Sequence, residues 1–349
     1  MQISRNRRLL ISGGFAVLFI LLSETVLQKQ VLRDDVASME QARGLAQNWL
    51  EQIHLEKQSR GIPGDLDSNI PYQNLLGIEY SAVTTTLGSR QAKELSTNPE
   101  FSALVVRLLH EAGIDASKRV GVTLSGSFPA LGISTLAALQ TMGIEAVIFS
   151  SLGASSFGAN QPGSLWIDYE RWLRERGGLR YRSLLVTYGG ENDNGSAIYP
   201  EGIASMDSSL QEYGEEVYIP LSLEESIAQK TQILSDNTIA LLINVGGNQA
   251  SMGACSHALE IPPGLNFKLP HCEHKNRGLI LGMNAKGIPI IQLLNLRELA
   301  LRYDIRTNYG DQESRSEILY FDSAVNKQFG LLFIIVLSLC VWWIKTATE

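Results

Sequence analysis

Four apolar, strand-like runs recur along the middle of the chain, and a loop rich in glycine, serine or asparagine follows each of them. The runs are residues 119–124, 145–150, 181–187 and 238–244. Helix-like segments separate them, such as the nearly all-apolar stretch of residues 129–142, which opens on a proline. Apolar strands that alternate with helices are typical of a parallel sheet covered on both faces. The sequence therefore predicts a doubly wound, mostly parallel, Rossmann-like α/β sheet.

The charge balance of the chain excludes one class of ligand. Its 349 residues include 29 Lys and Arg against 36 Asp and Glu, so the formal net charge is −7. Proteins that bind nucleic acids need clustered Lys and Arg to displace counterions from phosphates, and here the basic residues cluster only at the amino terminus. We therefore predict no nucleic-acid partner.

Both ends of the chain carry an uncharged apolar segment. A helix from residue 9 to residue 27 would rise about 28 Å, and no small-residue cleavage site follows it, which favours an anchor over a signal peptide. Residues 329–344 end in a tryptophan pair, as at a membrane surface, although a buried terminal helix is the alternative for so short a segment. The sequence predicts two transmembrane helices, 9–27 and 329–344, and a lipid bilayer as partner.

The basic residues predict how these helices are oriented. Arg5, Arg7 and Arg8 precede the first segment, so the amino terminus is expected in the cytoplasm of an inner-membrane protein. The domain between the two helices is then expected outside the cytoplasmic membrane, where Cys255 and Cys272 could form a disulfide, but the sequence leaves their separation open. The predicted parts are a basic cytoplasmic terminus (1–8), an anchor (9–27), a helical stalk and linker (28–74), an extracytoplasmic α/β domain (75–328), a second transmembrane helix (329–344) and a cytoplasmic tail (345–349).

The loops that follow the strands form the predicted ligand site. In doubly wound folds ligands bind beyond the carboxyl ends of the strands. Small residues, amides and hydroxyls near helix amino termini suit an anionic small molecule or polymer there. A structural role is the alternative, in which glycines permit turns and Ser125 or Ser127 caps a helix. The predicted ligand-binding residues are Ser125, Gly126, Ser127, Ser155, Ser156, Gly190 and Asn248.

Catalytic candidates lie in the same loops. Ser125 or Ser127 is the candidate nucleophile, and Glu191 and Asp193 are the candidate acid–base residues. Ser127 and Phe128 stand where a phosphate-binding loop requires Lys and Ser or Thr, so no ATP site and no cofactor are predicted. The glycines around the serines also do not form a nucleophile elbow. The residues alone leave open whether the protein is an enzyme.

A short run of possible metal ligands follows Pro270. It contains His271, Cys272 and His274, residue types that bind zinc and other transition metals. The two histidines are not separated as in the helical motif of zinc proteases, and an ordinary polar loop accounts for the run. We therefore predict no metal site and keep these three residues as weak candidates.

Three segments resemble the bacterial poly-gamma-glutamate system protein family, also called PgsW. They are VTTTLGSRQAKELSTNPEFSALVVRLLHEAGI (83–114), VTLSGSFPALGISTLAAL (122–139) and VIFSSLGASSFGANQP (147–162). The later segments YGGENDNG and NVGGNQASMG also fit, so the resemblance covers residues 75–306. It implies a membrane-anchored accessory component in poly-gamma-glutamate biosynthesis or export, with an amide ligase and its membrane proteins as partners. The resemblance brings no catalytic residues.

This polymer carries one carboxylate per residue, which a cleft of amides and hydroxyls can hold without a strongly basic surface. The first hypothesis is therefore a polymer-binding or assembly component. The second is a hydrolase or transferase that acts on the gamma-glutamyl amide bond with Ser125 or Ser127 as nucleophile. The third is a scaffold that binds only neighbouring membrane proteins. Without a phosphate-binding loop, the chain is not expected to be the ATP-dependent ligase itself.

Overall fold

The computed structural model describes residues 5–25, 28–67, 70–214, 216–306, 316–325 and 327–346. Its contacts divide the chain into two units. One unit is Asp35–Leu319, and the other consists of the two chain ends, Met1–Asp34 and Tyr320–Glu349. The larger unit contains the central sheet, so it also contains the loops that the sequence predicts as the ligand site.

The described secondary structure alternates between strands and helices through most of the larger unit. The helices are α1 (Arg5–Thr25), α2 (Val36–Ser59), α3 (Arg90–Ser96), α4 (Glu100–Glu111), α5 (Pro129–Met142), α6 (Trp166–Trp172), α7 (Pro200–Tyr213), α8 (Leu223–Asp236), α9 (Gln249–Met252), α10 (Gly278–Asn284), α11 (Leu296–Arg302), α12 (Glu317–Tyr320) and α13 (Lys327–Lys345). The strands are β1 (Gln28–Leu32), β2 (Thr84–Thr86), β3 (Arg119–Ser125), β4 (Glu145–Ser151), β5 (Ala154–Ser155), β6 (Leu185–Thr187), β7 (Leu241–Val245), β8 (Gly264–Asn266), β9 (Ile290–Leu293) and β10 (Phe321–Val325).

Six strands form the central sheet in the order β6–β4–β3–β7–β9–β8. The inner strands are parallel, and Val122 of β3 lies opposite Ile148 of β4 and Ile243 of β7. Strand β8 runs antiparallel to β9 at one edge, so the sheet is mixed. Every residue of β7 and β9 is buried, as in strands covered on both faces. The chain therefore has mixed α/β content built on a mixed sheet.

Helices α2, α4 and α5 pack against one another in the larger unit. Trp49 of α2 is fully buried, and its Nε1 donates a hydrogen bond to the Gly177 carbonyl at 2.8 Å. A Cβ at Gly132 of α5 would lie 2.8 Å from the Trp166 ring, so a glycine is needed where this helix meets the indole. Much of the segment that the sequence predicts as a stalk, residues 28–74, is thus the packed helix α2.

The unit formed by the chain ends contains two helices and a two-stranded sheet. Strands β1 and β10 pair antiparallel, with Lys29 opposite Ala324. Arg33 forms an ion pair with Asp322 at 2.8 Å, and the rings of Phe19 and Phe333 stack with centroids 4.0 Å apart. These contacts join helix α1 to helix α13 and the first strand to the last.

The transmembrane helices predicted at residues 9–27 and 329–344 are wrong. Helices α1 and α13 cover residues 9–25 and 329–344, while residues 26 and 27 lie outside the described residues. No helix in the described parts of the chain combines the length and the apolar character needed to span a bilayer. The apolar segments of α1 and α13, residues 9–22 and 329–344, contain fourteen and sixteen residues and rise about 21 Å and about 24 Å, against roughly 30 Å of hydrocarbon in a membrane. The same finding contradicts the fold class with flanking transmembrane helices and the inner-membrane localisation with an extracytoplasmic domain.

A disulfide joins Cys255 to Cys272 in the larger unit, with 6.4 Å between the Cα atoms. The cysteines are 17 residues apart, and closing a loop of this length restricts the unfolded chain. Replacing both with serine is expected to lower the free energy of unfolding by about 3 kcal/mol. Urea denaturation of the oxidised parent and of the double variant checks this, and equal midpoints would contradict it. Cys340→Ser is the matched control.

Candidate functional site

The carboxyl ends of four parallel strands surround a cavity of about 410 Å³. Ser125 is the last residue of β3 and Ser151 is the last residue of β4, while Gly190 follows β6 and Asn248 follows β7. This is the edge where doubly wound folds bind ligands. The lining residues are Thr85, Thr86, Ser125, Ser127, Ser151, Gly153, Gly190, Glu191, Ala197, Gly247, Asn248 and Gln249. Five of the residues singled out in the sequence, namely Ser125, Ser127, Gly190, Glu191 and Asn248, thus line one cavity.

Glycines allow the loops around this cavity to approach one another closely. A Cβ at Gly126 would lie 2.8 Å from the Leu152 carbonyl oxygen, and a Cβ at Gly158 would lie 2.6 Å from the Gly126 carbonyl oxygen. Gly190 has a φ of 70°, which L-residues with side chains rarely adopt. Gly126 itself is held by hydrogen bonds to neighbouring backbone and does not line the cavity. Its role in the structure is to let two loops meet.

The serine hydroxyls at the cavity differ in their hydrogen bonding. Ser125 is 4% exposed, and its Oγ has no hydrogen-bond partner among the described residues. Ser127 Oγ accepts a hydrogen bond from the Ser155 backbone N–H at 3.0 Å. Ser151 Oγ accepts one from Asn248 Nδ2 at 2.8 Å. A buried hydroxyl without a hydrogen-bond partner lowers the stability of the protein. A ligand that bonds to Ser125 Oγ would remove this cost.

Ser125 and Ser127 do not cap a helix. The cap position of α5 is Phe128, which makes no side-chain capping hydrogen bond. Asn248 is the loop residue that caps, since its side chain accepts a hydrogen bond from the Ser251 N–H at 3.2 Å. Helix capping, the structural alternative for Ser125 and Ser127, therefore does not explain where their hydroxyls lie.

Lys93 of α3 is a residue of this region that the sequence analysis missed. Its side chain is 2% exposed, and its Nζ donates to Ser155 Oγ at 2.8 Å and to the Ser127 carbonyl oxygen. The ammonium also lies 3.5 Å from the centroid of the Phe128 ring. Burial lowers the pKa of Lys93 to about 7. A lysine in a short charged segment is normally exposed, so no sequence pattern distinguishes it.

The two acidic candidates have different surroundings. Glu191 is exposed and lines the cavity. Asp193 is 1% exposed, accepts hydrogen bonds from Thr187 Oγ1 at 2.8 Å and Ser226 Oγ at 2.6 Å, and forms an ion pair with Lys230. The carboxylate of Asp193 is thus occupied by protein groups. Its arrangement is that of a buried ion pair that holds the loop after β6.

Two of the predicted ligand-binding serines lie behind the cavity lining. Ser155 is bonded to Lys93, and Ser156 is 1% exposed with a hydroxyl that has no hydrogen-bond partner among the described residues. The backbone N–H of Ser156 donates to the Thr86 carbonyl at 3.0 Å, next to the short β2–β5 pairing. Neither residue lines the 410 Å³ cavity.

Two of the three weak metal candidates have other contacts. Cys272 is disulfide-bonded, and His274 Nδ1 accepts a hydrogen bond from the Asn276 N–H at 3.0 Å. Throughout the described ranges, no three His, Cys, Asp or Glu side chains come together as metal ligands. A disulfide sulfur carries no thiolate, so Cys272 in this state is not a ligand.

Comparison of the chain with protein-family models, with curated proteins and with solved structures gives no match. The resemblance to the poly-gamma-glutamate system family therefore stays a prediction.

Proposed function

We propose that the cavity binds a carboxylate-bearing chain and that the protein is an accessory component in the handling of poly-gamma-glutamate. One observation carries the proposal: loop residues from separate strand ends line a single cavity in which Ser125 has a hydroxyl with no partner among the described residues. A volume of about 410 Å³ is within the range of small-molecule sites. The resemblance in sequence supports the choice of polymer.

The chemistry of the cavity complements each unit of such a chain. The hydroxyl of Ser125 is a donor suited to a carboxylate. Helix α5 begins just after Ser127, so its positive end favours an anion nearby. Glu191 is an acceptor for the backbone amide N–H of a gamma-linked chain. The site therefore offers partners for both the carboxylate and the amide of the polymer.

Ser125→Ala is expected to weaken the binding of short gamma-linked glutamate oligomers about fivefold, which corresponds to one hydrogen bond of about 1 kcal/mol. The Ser125 hydroxyl is buried and makes no hydrogen bond within the described protein, so its removal should not lower the free energy of unfolding. Isothermal titration with the full chain, together with urea denaturation, measures both quantities.

Ser156→Ala is the matched control for this prediction. Ser156 also has a buried, unpartnered hydroxyl, but it does not line the cavity, so its loss should leave the affinity unchanged. Oligomers whose carboxylates are converted to primary amides test the ligand side and should bind more weakly. Failure of the acidic oligomers to bind, or equal effects of the two serine variants, would reject the proposed site.

The accessory role is tested in the producing cell. Deleting the gene is expected to lower the yield or the size of the polymer, and a chain that carries Ser125→Ala should restore it less well than one that carries Ser156→Ala. Unchanged yield and size after deletion would rule out the role in polymer handling, even if the cavity binds acidic chains.

A further inference from the structure

Among the described residues that line the 410 Å³ cavity, one has a charged side chain, and it is Glu191. The others carry a hydroxyl, an amide, a methyl group or no side chain. Glu191 is exposed, and within the described chain no residue forms an ion pair with its carboxylate or donates a hydrogen bond to it. A charged wall complements a ligand group of the opposite sign. The cavity therefore offers a place for a cation as well as for an anion.

The loop after β6 holds Glu191 in place. Asn192 and Asp193, the next two residues, have φ values of 54° and 62°, which residues with side chains rarely adopt. The Asn192 N–H donates to Gln249 Oε1 at 2.7 Å, and Asp193 forms its ion pair with Lys230. Such a backbone conformation persists only where surrounding contacts hold it. The protein's own contacts thus fix the loop that presents Glu191 to the cavity, which lowers the entropy cost of binding a ligand there.

The same cavity contains a donor for an anion. Ser125 Oγ is buried and has no hydrogen-bond partner among the described residues, and helix α5, which begins at Pro129, directs its positive end toward the start of that loop. A ligand with an ammonium and a carboxylate on one carbon can use Glu191 and Ser125 together. In a gamma-linked glutamate chain the unit at the amino end is such a group, because every other nitrogen of the chain is an amide.

The inner units of the chain fit this cavity less well than the end does. They bring carboxylates and neutral amides but no cation, so their carboxylates meet the Glu191 carboxylate as a like charge. Repulsion of the wrong ligand is a common source of specificity. The volume of about 410 Å³ is also near the lower end of the range for small-molecule sites, which suits a chain end better than a long inner stretch.

We propose that the cavity recognises the amino end of the acidic chain, with the terminal ammonium paired to Glu191 and the carboxylate on the same carbon bonded to Ser125. This inference rests on the proposed function and names the part of the chain that the site binds. A carboxylate accepts several hydrogen bonds, so Glu191 also accepts the amide N–H of the second unit. Free glutamate carries the same two groups, and the experiment compares the two sources.

Isothermal titration of the full chain with two gamma-linked oligomers of equal length tests the ammonium contact. One oligomer has a free amino end. In the other, a glutaryl group replaces the first unit, which removes the ammonium and keeps every carboxylate. The parent should bind the first about fivefold more tightly, as for an ion pair with an exposed partner. Glu191→Gln should weaken the first about fivefold and bind the two oligomers equally, because the variant has no charge to pair with the ammonium.

Glu201→Gln is the matched control, since Glu201 is an exposed glutamate of α7 that does not line the cavity, and it should retain the parental preference. Equal binding of the two oligomers to the parent, or equal behaviour of the two glutamate variants, would overturn the inference and leave the proposed function in place. If neither oligomer binds, the proposed function fails as well. Free glutamate that binds as tightly as the oligomer, and more weakly to Glu191→Gln, would support the ammonium contact and overturn the chain as the ligand.

Discussion

Raising the pH from about 7 to about 9 is expected to increase the free energy of unfolding by about 5 kcal/mol through two buried lysines. Burial lowers the pKa of Lys57 and of Lys93 from 10.5 to about 7 in the folded protein. The unfolded chain therefore keeps both protons in this range while the folded chain releases them. Stability rises with pH wherever the unfolded state binds more protons, by about 1.4 kcal/mol per pH unit for each lysine.

Lys57→Met isolates one half of this effect and leaves Lys93 in place. The variant should reduce the rise by about 1.4 kcal/mol per pH unit, measured by urea denaturation at a series of pH values. Lys118→Met, at an exposed lysine, is the matched control and should retain the slope of the parent. A parent whose stability is flat across this range, or a Lys57→Met variant with the parental slope, would contradict the prediction.

Asp193→Asn is expected to lower the free energy of unfolding by about 3 to 5 kcal/mol, because it leaves the buried Lys230 ammonium without its counter-charge. Asn is chosen because Asp193 has a φ of 62°, a conformation that Asn tolerates. Adding Lys230→Met should recover much of the loss, since the double variant contains no unpaired charge. Urea denaturation of the two single variants and the double variant measures the coupling.

The same variants test whether the ion pair of Asp193 with Lys230 stabilises the fold. Glu191→Gln, at the exposed cavity-lining neighbour, should change stability by less than about 0.5 kcal/mol and serves as the control. If Asp193→Asn is as stable as the parent, the ion pair does not hold the loop. If Lys230→Met recovers no stability in the Asp193→Asn background, the decrease in the free energy of unfolding does not come from the unpaired Lys230 ammonium.

The spacing of apolar residues predicts a strand or a helix well where the element depends only on residues close together in the sequence. The buried run of β3 and the helix that opens at Pro129 both lie where the spacing of apolar residues predicts them. Strand β6 is shorter than predicted and begins at Leu185. At the chain ends the prediction of transmembrane helices is wrong, because the apolar residues 9–22 and 329–344 rise too little to cross a bilayer.

The sequence by itself determined that strands and helices alternate and that small polar loops end the strands, since both follow from residues a few positions apart. Parallel strands then bring those loops to one edge, where Ser125, Gly190 and Asn248 line a cavity. Only the tertiary structure decided that Lys93 meets Ser155, that Asp193 meets Lys230, and that Cys255 meets Cys272. These partners are between 17 and 62 residues apart, and the folded backbone sets their distances.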